Sequence, residues 1–139
     1  MREWSISETA TEQELSVLSE GVLQVGRALA VNGNARPLAC LVREGGSIIA
    51  GGSGRTEFER LFVQYLWVAE RYRGRGLGSE VLSRLEAAAR QRGSRDALIE
   101  TLSDRVAELY RRLGYAPVAT IPRYVGEFTR HIMVKALGD

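Results

Sequence analysis

Residues 73–79, Arg-Gly-Arg-Gly-Leu-Gly-Ser, place three glycines and two arginines in one short segment. Glycine has no Cβ, so such a turn lets the backbone approach a ligand and point successive N–H groups at it. The two guanidinium groups add positive charge. Consecutive N–H groups and positive charge suit a phosphate. We therefore predict that this turn binds phosphate groups.

The segments on either side of this turn support the prediction. Residues 61–68 are rich in β-branched and aromatic side chains, which is typical of a strand. Beyond the turn, apolar residues recur at helical spacing. The turn therefore joins a strand to the N-terminus of a helix, whose dipole favours anions. An arginine-glycine tail that binds nucleic acid would have neither flank.

The composition indicates one globular domain over residues 1–139. The chain has 45% hydrophobic and 26% charged residues and a formal net charge of +2. No apolar stretch reaches the length of a membrane span, and residues 1–6 lack the features of a signal peptide, so we expect a cytoplasmic protein that does not associate with membranes. With one cysteine, Cys40, and one histidine, neither a disulfide nor a transition-metal site is expected. Cys40 lies in an apolar run and is interpreted as a buried structural thiol.

The first third of the chain predicts a strand, a helix and a hairpin. Residues 2–7 alternate in a way that favours a strand. Residues 11–14, Thr-Glu-Gln-Glu, form a capping box for a helix that ends near residues 32–34. The apolar stripe of this helix comprises Leu15, Leu18, Val22, Val25 and Leu29.

Glycines then predict the turns. Residues 44–46, Glu-Gly-Gly, separate two short strands over 38–43 and 47–51, and the glycines at 51–54 are expected to loosen the chain. The remaining elements are predicted in the order strand 57–68, helix 76–92 ended by Gly93, strand 97–102, a helix capped by Ser103 and ended by Gly114, strand 115–121, loop 122–127 and strand 129–137. The strands are mostly antiparallel, with one strand–helix–strand crossover.

Two motifs on these elements resemble the GNAT superfamily of acyl-CoA-dependent N-acetyltransferases. Arg73, Gly76 and Gly78 fill the family's acetyl-CoA signature at the strand-to-helix junction. Residues 109–115, Leu-Tyr-Arg-Arg-Leu-Gly-Tyr, are similar to a second family segment about thirty residues downstream. The resemblance covers nearly the whole chain. It implies an α/β (α+β) GNAT fold, with a mixed, mostly antiparallel twisted sheet of about six to seven strands flanked by helices.

The resemblance also implies acetyl-CoA as cosubstrate and no metal. The backbone of residues 73–79 would bind the pyrophosphate, and the end of the preceding strand would pair with the pantetheine arm. Many relatives have asparagine where this chain has Ser103, whose hydroxyl offers one donor fewer. The predicted CoA-binding residues are Leu66, Trp67, Val68, Arg73, Gly74, Arg75, Gly76, Leu77, Gly78, Ser79, Ser103 and Tyr110.

The resemblance places the Tyr110 hydroxyl near the CoA sulfur. A phenol is protonated at neutral pH and can donate to a departing thiolate, so Tyr110 is the candidate general acid. Alternatively it packs against CoA or only hydrogen-bonds to it. Glu100 and Glu59 are the candidate bases, since Gln64 stands where relatives often carry glutamate. The single histidine, His131, is expected to have a surface or interface role.

The expected activity is direct transfer of an acetyl group to a primary amine of a small molecule or peptide. By analogy with the family, residues 26–35, 51–59 and 122–128 would border the acceptor groove. A homodimer is expected, with Ile132, Val134 and Leu137 as a candidate apolar contact.

Three alternatives compete with this interpretation. The first is a non-catalytic acyl-CoA-binding module, since the base is ambiguous. The second is a dinucleotide-binding domain, which is disfavoured because five residues separate Val68 from Gly74. The third is a nucleic-acid-binding protein. It is disfavoured because Tyr72 is the only aromatic residue close to the arginines of the turn.

Overall fold

A computed structural model describes residues 1–29 and 34–138 of the chain. Strands predominate, and three α-helices and one 3₁₀ turn interrupt them. In chain order the elements are α1 (Glu12–Leu29), β1 (Arg36–Glu44), β2 (Ser47–Glu57), β3 (Arg60–Val68), the 3₁₀ turn (Glu70–Tyr72), α2 (Leu77–Gln91), β4 (Asp96–Thr101), α3 (Asp104–Arg112), β5 (Ala116–Val125) and β6 (Phe128–Ala136).

The six strands form one sheet in the order β1-β2-β3-β4-β6-β5. All neighbouring strands are antiparallel except β3 and β4, which run parallel on either side of the α2 crossover. Their parallel ladder pairs residues 60–62 with residues 96–98 and then stops. The predicted fold class, a mostly antiparallel mixed sheet flanked by helices, is confirmed.

The core lies between one face of the sheet and the helices α2 and α3. Val81, Leu82 and Leu85 of α2 pack against Leu61 and Met133 of the sheet. In α3, Ala107 and Tyr110 join the same cluster. Cys40 is half-buried and packs against this core, in agreement with a structural thiol. We call the other side of the sheet the open face.

The predicted strand over residues 2–7 was wrong. Residues 1–10 pair with none of the six strands, and the side chains of Trp4 and Ile6 are fully exposed. An alternating pattern supplies the side chains of a strand but not a partner for its backbone, and a strand forms only where a ladder exists.

Two further predictions also differed from the structure. Residues 51–54 do not loosen the chain but continue β2. Gly52 is needed there because a Cβ would lie 3.0 Å from Leu85 Cδ1. The single strand predicted over 57–68 is divided by a tight turn at Phe58 and Glu59, whose φ angles are 54° and 62°.

The loop predicted over 122–127 largely belongs to β5, which extends to Val125 and turns into β6 at Gly126. By contrast, the helix-end signals were confirmed. Thr11 and Glu14 form the reciprocal capping box at the start of α1, with N···O distances of 2.9 and 3.1 Å. The predicted end of this helix near residues 32–34 falls mostly outside the described residues. None of the helices in the described ranges is long and apolar enough to cross a membrane.

Candidate functional site

A groove opens where β3 and β4 separate. Beyond the three paired positions, the remainder of β3 has no partner strand on its β4 side. The N-terminus of α2 and one side of α3 form the walls of this groove, which has a volume of about 890 Å³. All the predicted CoA-binding residues except Arg75 line it. Tyr72 and residues of α3 and its C-cap complete the lining: Arg105, Val106, Glu108, Leu109, Arg112 and Leu113.

Sequence reasoning missed these α3 residues, although their spacing gives a signal. Val106 and Leu113 lie four residues before and three residues after Tyr110, and therefore share its side of the helix.

The glycine turn presents free N–H groups to this groove. Gly74 and Gly76 have φ angles of 77° and 81°, which favour glycine. The first helical bond of α2 runs from the Glu80 N–H to the Gly76 carbonyl. The six N–H groups of residues 74–79 have no hydrogen-bond acceptor among the described residues. This array, at a helix N-terminus, is complementary to a pyrophosphate.

The arginines of this turn are held in place by neighbours. Arg73 Nε donates to the carbonyl oxygen of Val68 at 2.9 Å and so closes the turn against the end of β3. The guanidinium groups of Arg71 and Arg75 lie 5.1 and 5.5 Å from the ring centroid of Tyr72. Arg73 thus shapes the turn in addition to contributing charge.

Tyr110 sits in the groove wall with its ring in the core. It is only 6% exposed, and its ring centroid lies 6.0 Å from that of Tyr115. Its hydroxyl has no hydrogen-bond partner among the described residues, although the side chain lines the groove. Burial raises the pKa of Tyr110, so its phenol stays protonated at neutral pH. Ser103, at the N-cap of the same helix, accepts from the Val106 N–H at 3.1 Å, as predicted.

A buried polar cluster supports Tyr110 from behind. The hydroxyl of Tyr115 donates to Glu86 Oε2 at 2.8 Å, and Lys135 Nζ donates to Glu86 Oε1 at 2.9 Å. Burial and the bond to Glu86 raise the pKa of Tyr115. One hint of this cluster is visible in the sequence, where Glu86 interrupts the apolar stripe of α2 next to Leu82 and Leu85.

The two candidate bases lie in different places. Glu100 is on β4 but is not among the residues that line the groove. It forms an ion pair with Arg130, whose pKa is raised mainly by this hydrogen bond. Arg130 also lies 4.8 Å from the Tyr124 ring centroid. Glu59 is at the closed end of the β3–β4 pair, 4.0 Å from Arg95. At the rise of a strand, it is roughly 25 Å along β3 from the groove residues 66–68.

The structure also locates His131 and Gln64. His131 Nε2 lies 2.7 Å from Asp104 Oδ1 in the first turn of α3. Gln64 is exposed at an irregularity in the β2–β3 ladder. No cluster of three or more potential metal-ligating side chains occurs within residues 1–29 and 34–138.

Sequence comparison matches residues 4–115 to the family described as "Acetyltransferase (GNAT) family". Blasticidin-S acetyltransferase from Streptomyces morookaense is 38% identical over 95 residues, which make up 68% of this chain and 70% of that protein.

Two crystal structures extend the comparison. One is of a proposed acetyltransferase from Agrobacterium tumefaciens, which is 24% identical, superposes with a TM-score of 0.87 and covers 97% of this chain and 99% of that one. That span includes α1. The other is of a proposed streptothricin acetyltransferase from Bacillus anthracis in complex with acetyl coenzyme A. It is 13% identical with a TM-score of 0.65, and the match covers 74% of this chain and 64% of that one.

Proposed function

Because this chain belongs to the GNAT acetyltransferase family, we propose that it transfers the acetyl group of acetyl-CoA directly to a primary amine. The observation that carries this proposal is the groove between β3 and β4, with the six free N–H groups of residues 74–79 at its mouth. These donors and the dipole of α2 would bind the pyrophosphate.

The unpaired side of β3 would hold the pantetheine arm. Residues 66–68 have backbone N–H and C=O groups without a partner strand on that side, and an amide-bearing arm can pair with them as an added strand. A backbone N–H at this position would also polarise the thioester carbonyl. The side chains of Leu66 and Val68 are half-buried, and Leu66 packs against the core, which anchors this end of β3.

Tyr110 is the proposed general acid. The amine nitrogen forms a bond to the thioester carbon, the carbon–sulfur bond breaks, and the Tyr110 hydroxyl gives its proton to the departing sulfur. Glu100 is the better placed of the two predicted carboxylates to take the amine proton, directly or through water, and its ion pair with Arg130 would fix its orientation. Glu59 lies roughly 25 Å along the strand from the groove residues 66–68, so we propose no direct role for it.

The acceptor is proposed to be a cationic amine, and amine-bearing antibiotics are the first candidates. The name of the Streptomyces relative states that it acetylates blasticidin S. On this chain, the aromatic ring of Tyr124 and the carboxylates of Glu100 and Glu127 lie on or beside the β5–β6 hairpin. Aromatic faces and carboxylates both attract a cation.

The CoA site is tested by Gly78→Asp against Gly78→Ala. A Cβ at residue 78 makes only an ordinary contact, 3.6 Å from Val68 Cγ2, and an acidic residue suits the first turn of a helix. Gly78→Asp should therefore fold normally but lose CoA binding in calorimetry, because its carboxylate repels the phosphates. Gly78→Ala should retain binding. Equal CoA affinity in both variants would refute the site.

Catalysis is tested separately by thiol release from acetyl-CoA with a panel of amines that includes blasticidin S. Amine-dependent release supports acetyl transfer. Tight CoA binding without release by any amine of the panel would favour a non-catalytic acyl-CoA-binding module.

A further inference from the structure

The apolar stripe of α1 lies on the surface of the molecule. Leu15, Leu18, Val22 and Val25 are each more than half exposed, and Val22 reaches 73%. Over residues 12–26, only Leu23 and Gly26 are even half-buried. Gly26 lies beside the ring of Phe58 in the β2–β3 turn. Thus α1 is an amphipathic helix whose apolar side faces solvent in a single copy of the chain.

The open face of the sheet is also apolar. No helix in the described part of the chain packs on it, because α2 and α3 both lie on the other face. Tyr65 and Trp67 of β3 are 65% and 50% exposed, and Leu41 and Ile121 are also exposed. Their neighbours on this face, Ile132 and Val134, are half-buried. One molecule therefore carries an uncovered apolar helix side and an uncovered apolar sheet face. Surfaces of these two types pack against each other in protein domains.

The accessible surface area of the chain is larger than that of a compact monomer of the same mass. The chain exposes 10317 Å², whereas a compact monomer of its mass, 15.4 kDa, exposes about 7,200 Å². The excess of about 3,000 Å² per chain is more than a permanent dimer needs, since such interfaces bury about 2,000–5,000 Å² from the two partners together.

Charge separates the same two parts of the chain. Residues 1–26 contain five glutamates and one arginine, while residues 27–139 contain 18 basic and 12 acidic residues. The N-terminal segment is therefore acidic and the remainder is basic. On the open face, Arg55 and Arg130 are each paired with a carboxylate of the same chain, Glu57 and Glu100. The opposite net charges of the two parts therefore favour the approach of one copy to the other rather than a particular ion pair.

We propose that two copies of this chain form a homodimer in which each α1 packs its apolar stripe on the open face of the other copy's sheet. This reciprocal arrangement is closed by a two-fold axis and covers both surfaces in both copies. The Agrobacterium crystal structure superposes over a span that includes α1, so the extended helix belongs to a fold found in a crystal.

This interface differs from the sequence-based expectation of a C-terminal contact. Strand β6 lies inside the sheet between β4 and β5, so it offers no free edge. Leu137 is buried in the core. Ile132 and Val134 still take part in the proposed interface, but through the open face of the sheet.

The first test is sedimentation at micromolar concentration on Val22→Glu and the control Gln24→Glu. Val22 lies in the middle of the stripe, and Gln24 is exposed on another side of α1. The parent chain and Gln24→Glu should be dimers, and Val22→Glu should shift to monomer by at least tenfold in dissociation constant. A monomeric parent chain would overturn the proposal, and so would a Val22→Glu dimer as stable as the parent.

The second test identifies which chain each α1 covers. In a Cys40→Ser background, Val22→Cys and Tyr65→Cys are combined and treated with a short bismaleimide. If each α1 packs on the sheet of the other copy, the reagent should link the two chains and give a covalent dimer on a denaturing gel. A link within one chain would mean that α1 folds back onto its own sheet, and a dimer without any link would mean a different interface. Either result refutes the exchange.

Discussion

The side chain of Tyr110 combines a ring that packs in the core with a hydroxyl that is the proposed general acid. Its ring belongs to the core, while its hydroxyl has no partner among the described residues and borders the groove. Substitution by phenylalanine removes the proton and keeps the packing. Since the proposed general acid is a single oxygen, a conservative change can separate its role from the packing of the ring.

Tyr110→Phe is expected to lower the turnover number by about 10- to 1,000-fold while leaving the dissociation constant of acetyl-CoA nearly unchanged. The readouts are steady-state thiol release and calorimetry. Tyr65→Phe, on the open face of the sheet and outside the groove, is the control and should keep its activity. Full turnover in Tyr110→Phe, with chemistry limiting the rate, would make Tyr110 a packing residue.

The pH dependence follows from the raised pKa of Tyr110. The acid must be protonated to act, and burial moves its pKa above the ordinary value of about 10. The acidic form is therefore present throughout the range below that pKa and is lost only above it. We expect no fall in turnover between about pH 7 and 9.5 from this group. A decline in that range that disappears in Tyr110→Phe would contradict this assignment.

Tyr115→Phe tests the polar cluster behind Tyr110. It removes the donor to Glu86 Oε2 and leaves a buried carboxylate with Lys135 as its remaining partner. The free energy of unfolding should fall by about 1–3 kcal/mol in urea titration, because a buried acceptor loses its hydrogen bond. A change below about 0.5 kcal/mol would mean that water replaces the hydroxyl.

Site residues were predictable where the signal is local. The turn at 73–79 and Tyr110 lie in short contiguous motifs, so the sequence alone singled out residues that the structure places around the groove. Glu86 and Tyr115 are 29 residues apart and meet only through the fold, so no spacing revealed their bond. For the same reason the sequence ranked Glu59 with Glu100, although they lie at opposite ends of the β3–β4 pair.

At the scale of elements, the glycines of β2 allow close approach rather than flexibility. A Cβ at Gly54 would overlap the carbonyl oxygen of Phe62 in the neighbouring strand, where the ladder is irregular. The strand can pair with β3 at this position only because the residue has no side chain.

Gly54→Ala should therefore destabilise the protein by about 1–3 kcal/mol or more, because a backbone must move. The control is Gly21→Ala in α1, where a Cβ meets nothing within 4 Å. That change should stabilise the helix by about 0.5–1 kcal/mol. Urea unfolding measures both. If Gly54→Ala changed the free energy of unfolding as little as Gly21→Ala, β2 would have to relax around the extra methyl group.

Elements with end signals were predicted well, and elements that depend on distant partners were not. The capping box of α1 and the Ser103 cap of α3 are local hydrogen bonds. The strand expected at 2–7 lacks a neighbour, and the irregular chain expected at 51–54 is held straight by β1 and β3. Local patterns cannot report these tertiary conditions.

For the molecule as a whole, the proposed dimer makes stability depend on protein concentration. If folding and pairing are coupled, each tenfold dilution should cost about 1.4 kcal/mol of dimer stability, and the melting temperature should fall. Val22→Glu should melt at a temperature that does not depend on concentration. Calorimetric scans over a hundredfold range test this, and an invariant melting temperature for the parent chain would contradict it.

The separation of β3 from β4 also creates a hazard. Beyond residue 62, the β4 side of β3 is a sheet edge in the middle of the molecule that has no partner strand among the described residues. Such edges recruit stray strands and promote aggregation unless they are covered. A pantetheine arm lying along this edge would cover it and block its pairing with another strand. We therefore expect the protein to be least soluble when acyl-CoA is scarce. The supply of the proposed cosubstrate would then determine the amount of protein that stays in solution as well as its rate of turnover.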